Sequence, residues 1–476
     1  MTRAAFLRAS AVPGAGRRVK KGDMLMKMYT QPQPIGKYLD VKLDCDCGRT
    51  HYVPIKGVEI GAGALESLPD YTRRLGYKKP YLLCDEITYK IAGARCEELL
   101  RAAGIEPAVH VLSHLGFDEA TLGEIVVSIP ADCDLMIGVG TGSITDMTRY
   151  SSFKLRLPCF TVATGAPMDG FAASIGIMNV NNLKATMPAH STEVIIGDTD
   201  ILKTAPYRMT VAGFGDLIGK VTCLNDWELA RIINGEHYCE NIVTLVRECV
   251  AQVIKDAPKI KQRDPETLGA VMNGLVLSGA AISLYGDSRP ASGAEHHMSH
   301  FWETIIEQRG ERPAMHGEQV AVGTVLVLRL IEELLSADVD FDAARRAARE
   351  YDKAAWEREI RAVYGAAAQA VIDMEAAAGK NDTKARLRRI DSMEKNWDAV
   401  CAQLRTLPPA QEIYALLHEV GCPCTPREIG VDKALLKQTF MYCKEIRARY
   451  TVFQTVYDLG LLDELSDRVI AKTETL

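Results

Sequence analysis

From about residue 52 the chain alternates short apolar runs with stretches of helical spacing. Lys78-Lys79-Pro80 reads as a turn, and residues 81–84 after it as a four-residue strand ending at Asp85. Residues 87–105 repeat apolar positions with a helical period and close on Ala103-Gly104, a helix stop. Further strands are predicted at 108–112, 134–139, 157–162 and 193–197, the second of these running directly into a glycine turn. Strands alternating with helices predict right-handed crossovers and a parallel sheet. After Pro206 the pattern changes to long amphipathic helices with few strand candidates. The expected fold class is therefore an α/β N-terminal domain with a parallel, Rossmann-like sheet, followed by an all-α C-terminal domain. Its expected boundaries are an extension at 1–27, the α/β domain at 28–205 and the helical domain at 206–476.

The extension is set apart by charge. Arg3, Arg8, Arg17, Arg18, Lys20 and Lys21 precede the first acid, among Ala, Gly and Ser. This resembles a transit peptide, but the apolar core of a secretory signal is missing. Met24, Met26 and Met28 fit an over-extended start equally well. The segment is expected to be disordered or dispensable. The remaining 335–405 stretch, rich in Ala, Glu and Arg, reads as solvated helix faces and not as a binding patch.

Composition narrows the function classes. At 476 residues the chain is long enough for two or three domains with full cores. A hydrophobic share of 47% with 25% charged residues is that of an ordinary globular protein. Net charge −6 and a pI near 6.0 argue against nucleic acid as a partner. No apolar run approaches the ~20 residues of a membrane-spanning helix, so no span is expected. The 13 cysteines are scattered and odd in number, which reads as reduced, intracellular and cytoplasmic. Cys45-Asp46-Cys47-Gly48-Arg49-Thr50-His51 hints at a metal knuckle, but a single C-x-C lacks a partner pair, and Cys422-Pro423-Cys424 is far away in sequence. Both are read as structural.

The candidate chemistry concentrates in a few segments. Four of the 10 histidines, His296, His297, His300 and His316, fall in one short region. If that region is helical, His296 and His300 share a face and His297 points away. Upstream, Asp216 is framed by Gly213, Gly215 and Gly219 in an apolar segment. One Asp and two His from different elements suit a divalent cation with open positions for water or substrate. The alternative is solvent-facing or satisfied core histidines.

Gly138-Val139-Gly140-Thr141-Gly142-Ser143-Ile144-Thr145-Asp146 follows a predicted strand. Alternate glycines allow close backbone approach, and a helix N-terminus offers N–H groups to a pyrophosphate. The third glycine comes too early for the G-x-G-x-x-G dinucleotide fingerprint. Asp85 at a strand end suits a ribose, or else a helix N-cap. Thr161, Thr164 and Asp169, after the next strand, are candidates for nicotinamide and substrate contacts, or else cap their loop.

Taken in order, these motifs resemble the iron-dependent alcohol dehydrogenase, glycerol dehydrogenase and dehydroquinate synthase superfamily. Within it they resemble the sn-glycerol-1-phosphate dehydrogenases in the bacterial form found with arabinose-utilisation genes. The resemblance spans roughly residues 40–460. Further motifs carrying it are Pro167-x-Asp169-Gly170, Ala205-Pro206-Tyr207-Arg208, Gly213-x-Gly215-Asp216-x-x-x-Lys220, the run from Ser288 to His296, and His316-Gly317-Glu318. It implies a dehydroquinate synthase-like fold with metal ligands Asp216, His296 and His316. It also implies a second histidine near the substrate at His300 and a substrate-contacting acid at Asp169. NAD(P)H, one divalent metal (nickel, zinc or iron), a small phosphorylated triose as substrate, and a homodimer or higher homo-oligomer follow from the same resemblance. Two departures stand out. Archaeal members read Asp-Gly-Ile-Ala-Ser, where this chain has Asp169-Gly170-Phe171-Ala172-Ala173-Ser174, so Ala173 replaces a nucleotide-contacting serine. The longer spacing from Asp169 to Asp216 holds Asn179-Val180-Asn181-Asn182, a loop or hairpin.

A divalent cation held by two neutral histidines and one carboxylate keeps a net positive charge that polarises a ketone as hydride arrives. Reversible reduction of dihydroxyacetone phosphate is the reaction expected, with Lys184, Lys220 and Arg289 as candidate phosphate partners or structural ion pairs. Glycerol dehydrogenase or another polyol dehydrogenase is the alternative; cyclases of the superfamily carry Glu where Asp216 stands.

Overall fold

The structure, a computed structural model, describes residues 26–113, 116, 118–180 and 183–473, without the side chains of 177, 179, 180 and 183–186. Residues 1–25 of the expected extension lie outside it. Its last two residues are not loose: β1 (Met26–Lys27) pairs in parallel with β2 (Leu43–Asp44), which pairs antiparallel with β3 (Thr50–His51).

The main sheet is built from β4 (Gly57–Gly61), β5 (Pro80–Asp85), β6 (Ala108–Leu112), β7 (Leu135–Gly140) and β8 (Cys159–Ala163). After a hairpin of β9 (Ile175–Val180) and β10 (Leu183–Pro188), β11 (Val194–Asp198) completes it. Strand order is β4-β11-β8-β7-β5-β6, with every pairing parallel. Strands β5, β7, β8 and β11 are almost wholly buried, and for that reason their apolar runs are visible in the sequence. Strand β4 escapes the pattern because it is a partly exposed edge strand, flanked by glycines and carrying Glu59. The extra residues before Asp216 form the antiparallel β9–β10 hairpin. Because β6 and β7 lie on opposite sides of β5, the sheet changes direction between β5 and β7. A crevice for ligands lies at the carboxyl ends of the strands at such a switch point, here at Asp85 and Gly140.

Beyond residue 206 the described residues form helices and turns without a strand. Six helices bear on the site: α1 (Gly142–Leu155), α2 (Tyr207–Asn234), α3 (Glu240–Asp256), α4 (Pro265–Tyr285), α5 (Ala294–Gln308) and α6 (His316–Ser336). Helix α4 is more apolar than the sequence reading allowed, long and apolar enough to cross a membrane by length and composition alone. Of its apolar window 78% is buried inside the fold, where it packs on α2 and α3. The charged 335–405 stretch also differs in part from a solvated face. Arg386 and Arg389 are buried and converge on Asp458, at 3.3 and 2.5 Å.

Candidate metal centre

Close helix packing creates the site. A Cβ at Gly213 would lie 2.0 Å from the Ala166 carbonyl oxygen, and one at Gly215 would lie 2.4 Å from that of Gly317. A Cβ at Gly317 would in turn meet the Ala212 carbonyl at 1.9 Å. These glycines let α2 press against both the loop after β8 and the start of α6. Asp216 on α2 thereby meets His316, the first residue of α6, and His296 in the first turn of α5. One ligand atom from each of Asp216, His296 and His316 lies within 4.8 Å of the others.

The histidine rings are oriented from behind. His296 donates through Nδ1 to Glu295 Oε1 at 2.7 Å, which leaves Nε2 facing Asp216 Oδ1 at 3.6 Å. Glu295 is itself held by the Gly293 N–H at 2.7 Å and the Thr222 hydroxyl at 2.6 Å. His316 turns Nδ1 to Ser299 Oγ at 3.1 Å and Glu303 Oε1 at 3.3 Å, again freeing Nε2. A carboxylate behind a ligating imidazole fixes its tautomer and raises its basicity. Asp216 and two imidazole nitrogens therefore suit a divalent metal in ligand chemistry as well as in spacing.

Electrostatics agree with an ionised Asp216. Burial opposes its charge, but Lys220 and the two histidines outweigh burial and hold the carboxyl well below its ordinary range. Lys220 is fully buried, 2.7 Å from Asp216 Oδ1 and 2.9 Å from Asp169 Oδ2. Burial disfavours its charge too, yet these two carboxylates keep it protonated. Its ammonium joins two acids of the centre, so for Lys220 the ion-pair alternative is realised. Asp169 also donates its backbone N–H to Asp216 Oδ2 at 2.8 Å and accepts from Ser278 at 2.7 Å. His300 lies beside His316, ring centroids 5.4 Å apart, with Nδ1 3.3 Å from Glu303 Oε2. Burial lowers its pKa to about 3, against the opposing pull of Glu303. It is thus a neutral imidazole suited to hydrogen bonding, whereas proton delivery from an imidazolium is disfavoured.

The glycine turn lies where β7 ends and α1 begins. Thr141, the N-cap of α1, makes no side-chain cap, so the N–H groups at Gly142 and Ser143 have no intrahelical partner. Gly138 and Gly140 have a different cause from the expected one. A Cβ there would meet Thr148 Oγ1 at 2.4 Å and Ile144 Cβ at 2.6 Å, so both glycines serve the packing of α1 on β7. Gly142 alone faces flexible atoms, the Met168 methyl at 3.1 Å. Asp146 is paired with buried Arg149 one turn into α1. Asp85 caps the helical turn Glu86–Thr88 through the Thr88 N–H at 2.7 Å, so the N-cap alternative is realised.

Thr164 donates its N–H to the Gly140 carbonyl at 3.1 Å and sits beside the turn. Thr161 does not: it is fully buried within β8, its hydroxyl 3.4 Å from Thr192. Arg289 realises the ion-pair alternative, gripping Glu236 at 2.6 and 2.5 Å and the Tyr450 carbonyl at 2.7 Å. Lys184 lies on β10, where its side chain is outside the described structure. Sequence reasoning missed Glu295, Glu303 and Arg447. Arg447 acts electrostatically on His300 and Glu303, and its guanidinium donates to the Ile446 carbonyl at 2.9 Å. Helical spacing is the signal that could have found some of these contacts: Asp216 and Lys220 are four apart on α2, and His300 and Glu303 three apart on α5.

Comparison with known proteins agrees with this architecture. The sequence profile of the iron-containing alcohol dehydrogenase family matches residues 59–206. A glycerol-1-phosphate dehydrogenase (NAD(P)+) of Bacillus subtilis (strain 168) is 32% identical over 84% of this chain and 91% of its own length. That of Bacillus licheniformis is 28% identical over 88% of this chain and 94% of its own. In fold, the chain is similar to the crystal structure of glycerol dehydrogenase from Schizosaccharomyces pombe, with a TM-score of 0.57 at 16% identity, covering 89% of this chain and 92% of that one. With nearly the full length of a relative matched at 32% identity on a fold of the same kind, this chain belongs to the glycerol-1-phosphate dehydrogenase family, within the iron-containing alcohol dehydrogenases.

Proposed function

We propose that the protein is a metal-dependent NAD(P)H oxidoreductase that reversibly reduces dihydroxyacetone phosphate to sn-glycerol 1-phosphate. One observation carries the reading: the loop after β8 touches both halves of the chemistry. At its start Thr164 bonds Gly140; at its other end Met168 lies against Gly142 while Asp169 bonds Asp216. The two parts a carbonyl reductase needs are thereby joined through six residues of backbone, with residues 28–205 supplying the nucleotide side and 206–476 the metal side.

Asp216 and the Nε2 atoms of His296 and His316 would hold one zinc, nickel or iron ion, which supplies a Lewis acid for a ketone oxygen. NAD(P)H supplies the hydride. The uncapped N-terminus of α1 and Gly142 would hold the pyrophosphate, and Asp85, at the switch point, would accept from the ribose through Oδ2, since its cap to Thr88 uses Oδ1. Lys220 neutralises Asp169 and keeps Asp216 ionised. His300 orients a substrate hydroxyl as a neutral imidazole. Arg447, whose charge reaches His300 and Glu303, would take the phosphate in place of Lys220 and Arg289.

The test is a panel of dihydroxyacetone phosphate, dihydroxyacetone and glycerol with both cofactors in the matching redox state, at controlled metal content. Dihydroxyacetone phosphate should give the highest kcat/KM. Arg447→Met should raise its KM by roughly tenfold or more, as loss of a hydrogen bond to a charged group does, and leave dihydroxyacetone turnover unchanged. Equal kcat/KM for the phosphorylated and free ketone would overturn the substrate assignment.

A further inference from the structure

A second cluster of metal-ligating side chains lies apart from this chemistry. The β2–β3 turn carries Cys45, Cys47 and His51, and Cys239, the N-cap of α3, meets them from 188 positions beyond His51. Cys45 Sγ and Cys239 Sγ are 3.7 Å apart. His51 Nε2 lies 3.3 Å from Cys47 Sγ and 3.4 Å from Cys239 Sγ. All four ligand atoms fall within 4.8 Å of one another. The Zn–S and Zn–N lengths of about 2.3 and 2.05 Å imply tetrahedral edges of roughly 3.8 Å between sulfurs and roughly 3.5 Å from sulfur to nitrogen. The observed separations match both.

The surroundings complete the site. His51 donates through Nδ1 to the Leu284 carbonyl at 2.8 Å, near the end of α4, which leaves Nε2 bare toward the sulfurs. Asn241 Nδ2 donates to Cys45 Sγ at 3.3 Å, and the N-terminus of α3 adds positive potential beside Cys239. Across the same join, His237 Nε2 donates to the Cys47 carbonyl at 3.0 Å. Cys45, His51 and Cys239 are buried, so the cluster has few directions open to a substrate.

We propose that Cys45, Cys47, His51 and Cys239 bind one zinc ion as a closed, structural site that fastens the N-terminal turn to α3 and α4. Three thiolates and one imidazole fill a tetrahedral zinc without an open position, and they select zinc over the harder cations that oxygen ligands prefer. On binding, the three thiols release their protons to solvent and no electron changes hands. Along the chain this C-x-C has no partner pair, because its fourth ligand comes from the start of α3 and not from Cys422 or Cys424.

The test uses the full-length protein, purified under reducing conditions and loaded with cobalt(II). Sulfur ligation gives a thiolate-to-cobalt charge-transfer absorption in the near ultraviolet, which the oxygen and nitrogen ligands of the Asp216 centre cannot produce. The band is expected in the wild type and in His316→Ala, and its zinc-loaded counterpart should retain one zinc ion per chain in His316→Ala. Cys47→Ala and Cys239→Ser should each lose the band. The proposal is overturned if cobalt-loaded wild type lacks the band, or if Cys45 and Cys239 are recovered as a disulfide under those conditions.

Discussion

Asp216, His296 and His316 present one oxygen and two nitrogens; Cys45, Cys47, His51 and Cys239 present three sulfurs and one nitrogen. In both clusters an imidazole is oriented through Nδ1 so that Nε2 faces the centre. The partner behind it differs: a buried carboxylate, Glu295, at His296, and a main-chain carbonyl, Leu284, at His51. Access differs as well. His316 and His300 keep 27% and 20% of their side-chain surface exposed, whereas His51 and Cys239 are almost wholly buried. Three ligands, an anionic support and an open side leave room for a reacting oxygen; four ligands in a closed shell leave none. The same element of design, a back-bonded histidine, thus stands at an open candidate centre in one place and at a closed one in the other.

The largest effect that separates the two clusters is on turnover. His316→Ala should lower activity by about a thousandfold or more, the several kcal/mol that a Lewis acid contributes, in a protein that stays folded. Retained activity in that variant, measured by NADH oxidation, would remove the catalytic half of the comparison. Next in size is the stability effect of Cys239→Ser. Several kcal/mol of metal binding, at roughly 2–4 °C each, should lower Tm by about 10 °C, with kcat of the folded enzyme preserved. An unchanged Tm by scanning calorimetry would reduce the second cluster to a cysteine contact.

Glu295→Gln sharpens the contrast directly, since it gives His296 a neutral oxygen partner like the one behind His51. Metal affinity at the Asp216 centre should fall by roughly 10–100-fold, measured by competition with a chelator, as for other supports of ligating residues. The smallest effect is expected at the nucleotide turn. Gly142→Val, whose Cβ meets only the flexible Met168 side chain, should raise the NADH dissociation constant by roughly tenfold, about 1.4 kcal/mol, in a protein that still folds. Gly140→Val would not serve, because its side chain would collide with Ile144 whether or not a nucleotide binds there.

Much of the fold is legible in the chain itself because buried parallel strands are continuous apolar runs and the helices after Pro206 keep their 3.6-residue period. The edge strand β4 and the short strands before it are not, since half-exposed or two-residue strands leave little pattern. The candidate ligands Asp216, His296 and His316 stand out by residue type and motif. Their supports do not: Glu295 looks like any acid in a first helical turn, and Arg289 gives no hint that its partner is Glu236, 53 positions upstream.

By itself, the sequence determines which elements form, in what order, and which donor chemistries the chain has available. That information is local, carried by periods of two and 3.6 residues. Tertiary structure alone decides which donors meet. Thr161 and Thr164 are three residues apart and both buried, yet the first lies within the strand near Thr192 and the second at its end, bonded to Gly140. Lys220 becomes a bridge between carboxylates instead of a phosphate ligand because α2 buries it there. Cys239 reaches Cys45 across 194 positions because α3 starts beside the β2–β3 turn. Such meetings depend on how closely whole helices pack, and no spacing along the chain records that distance.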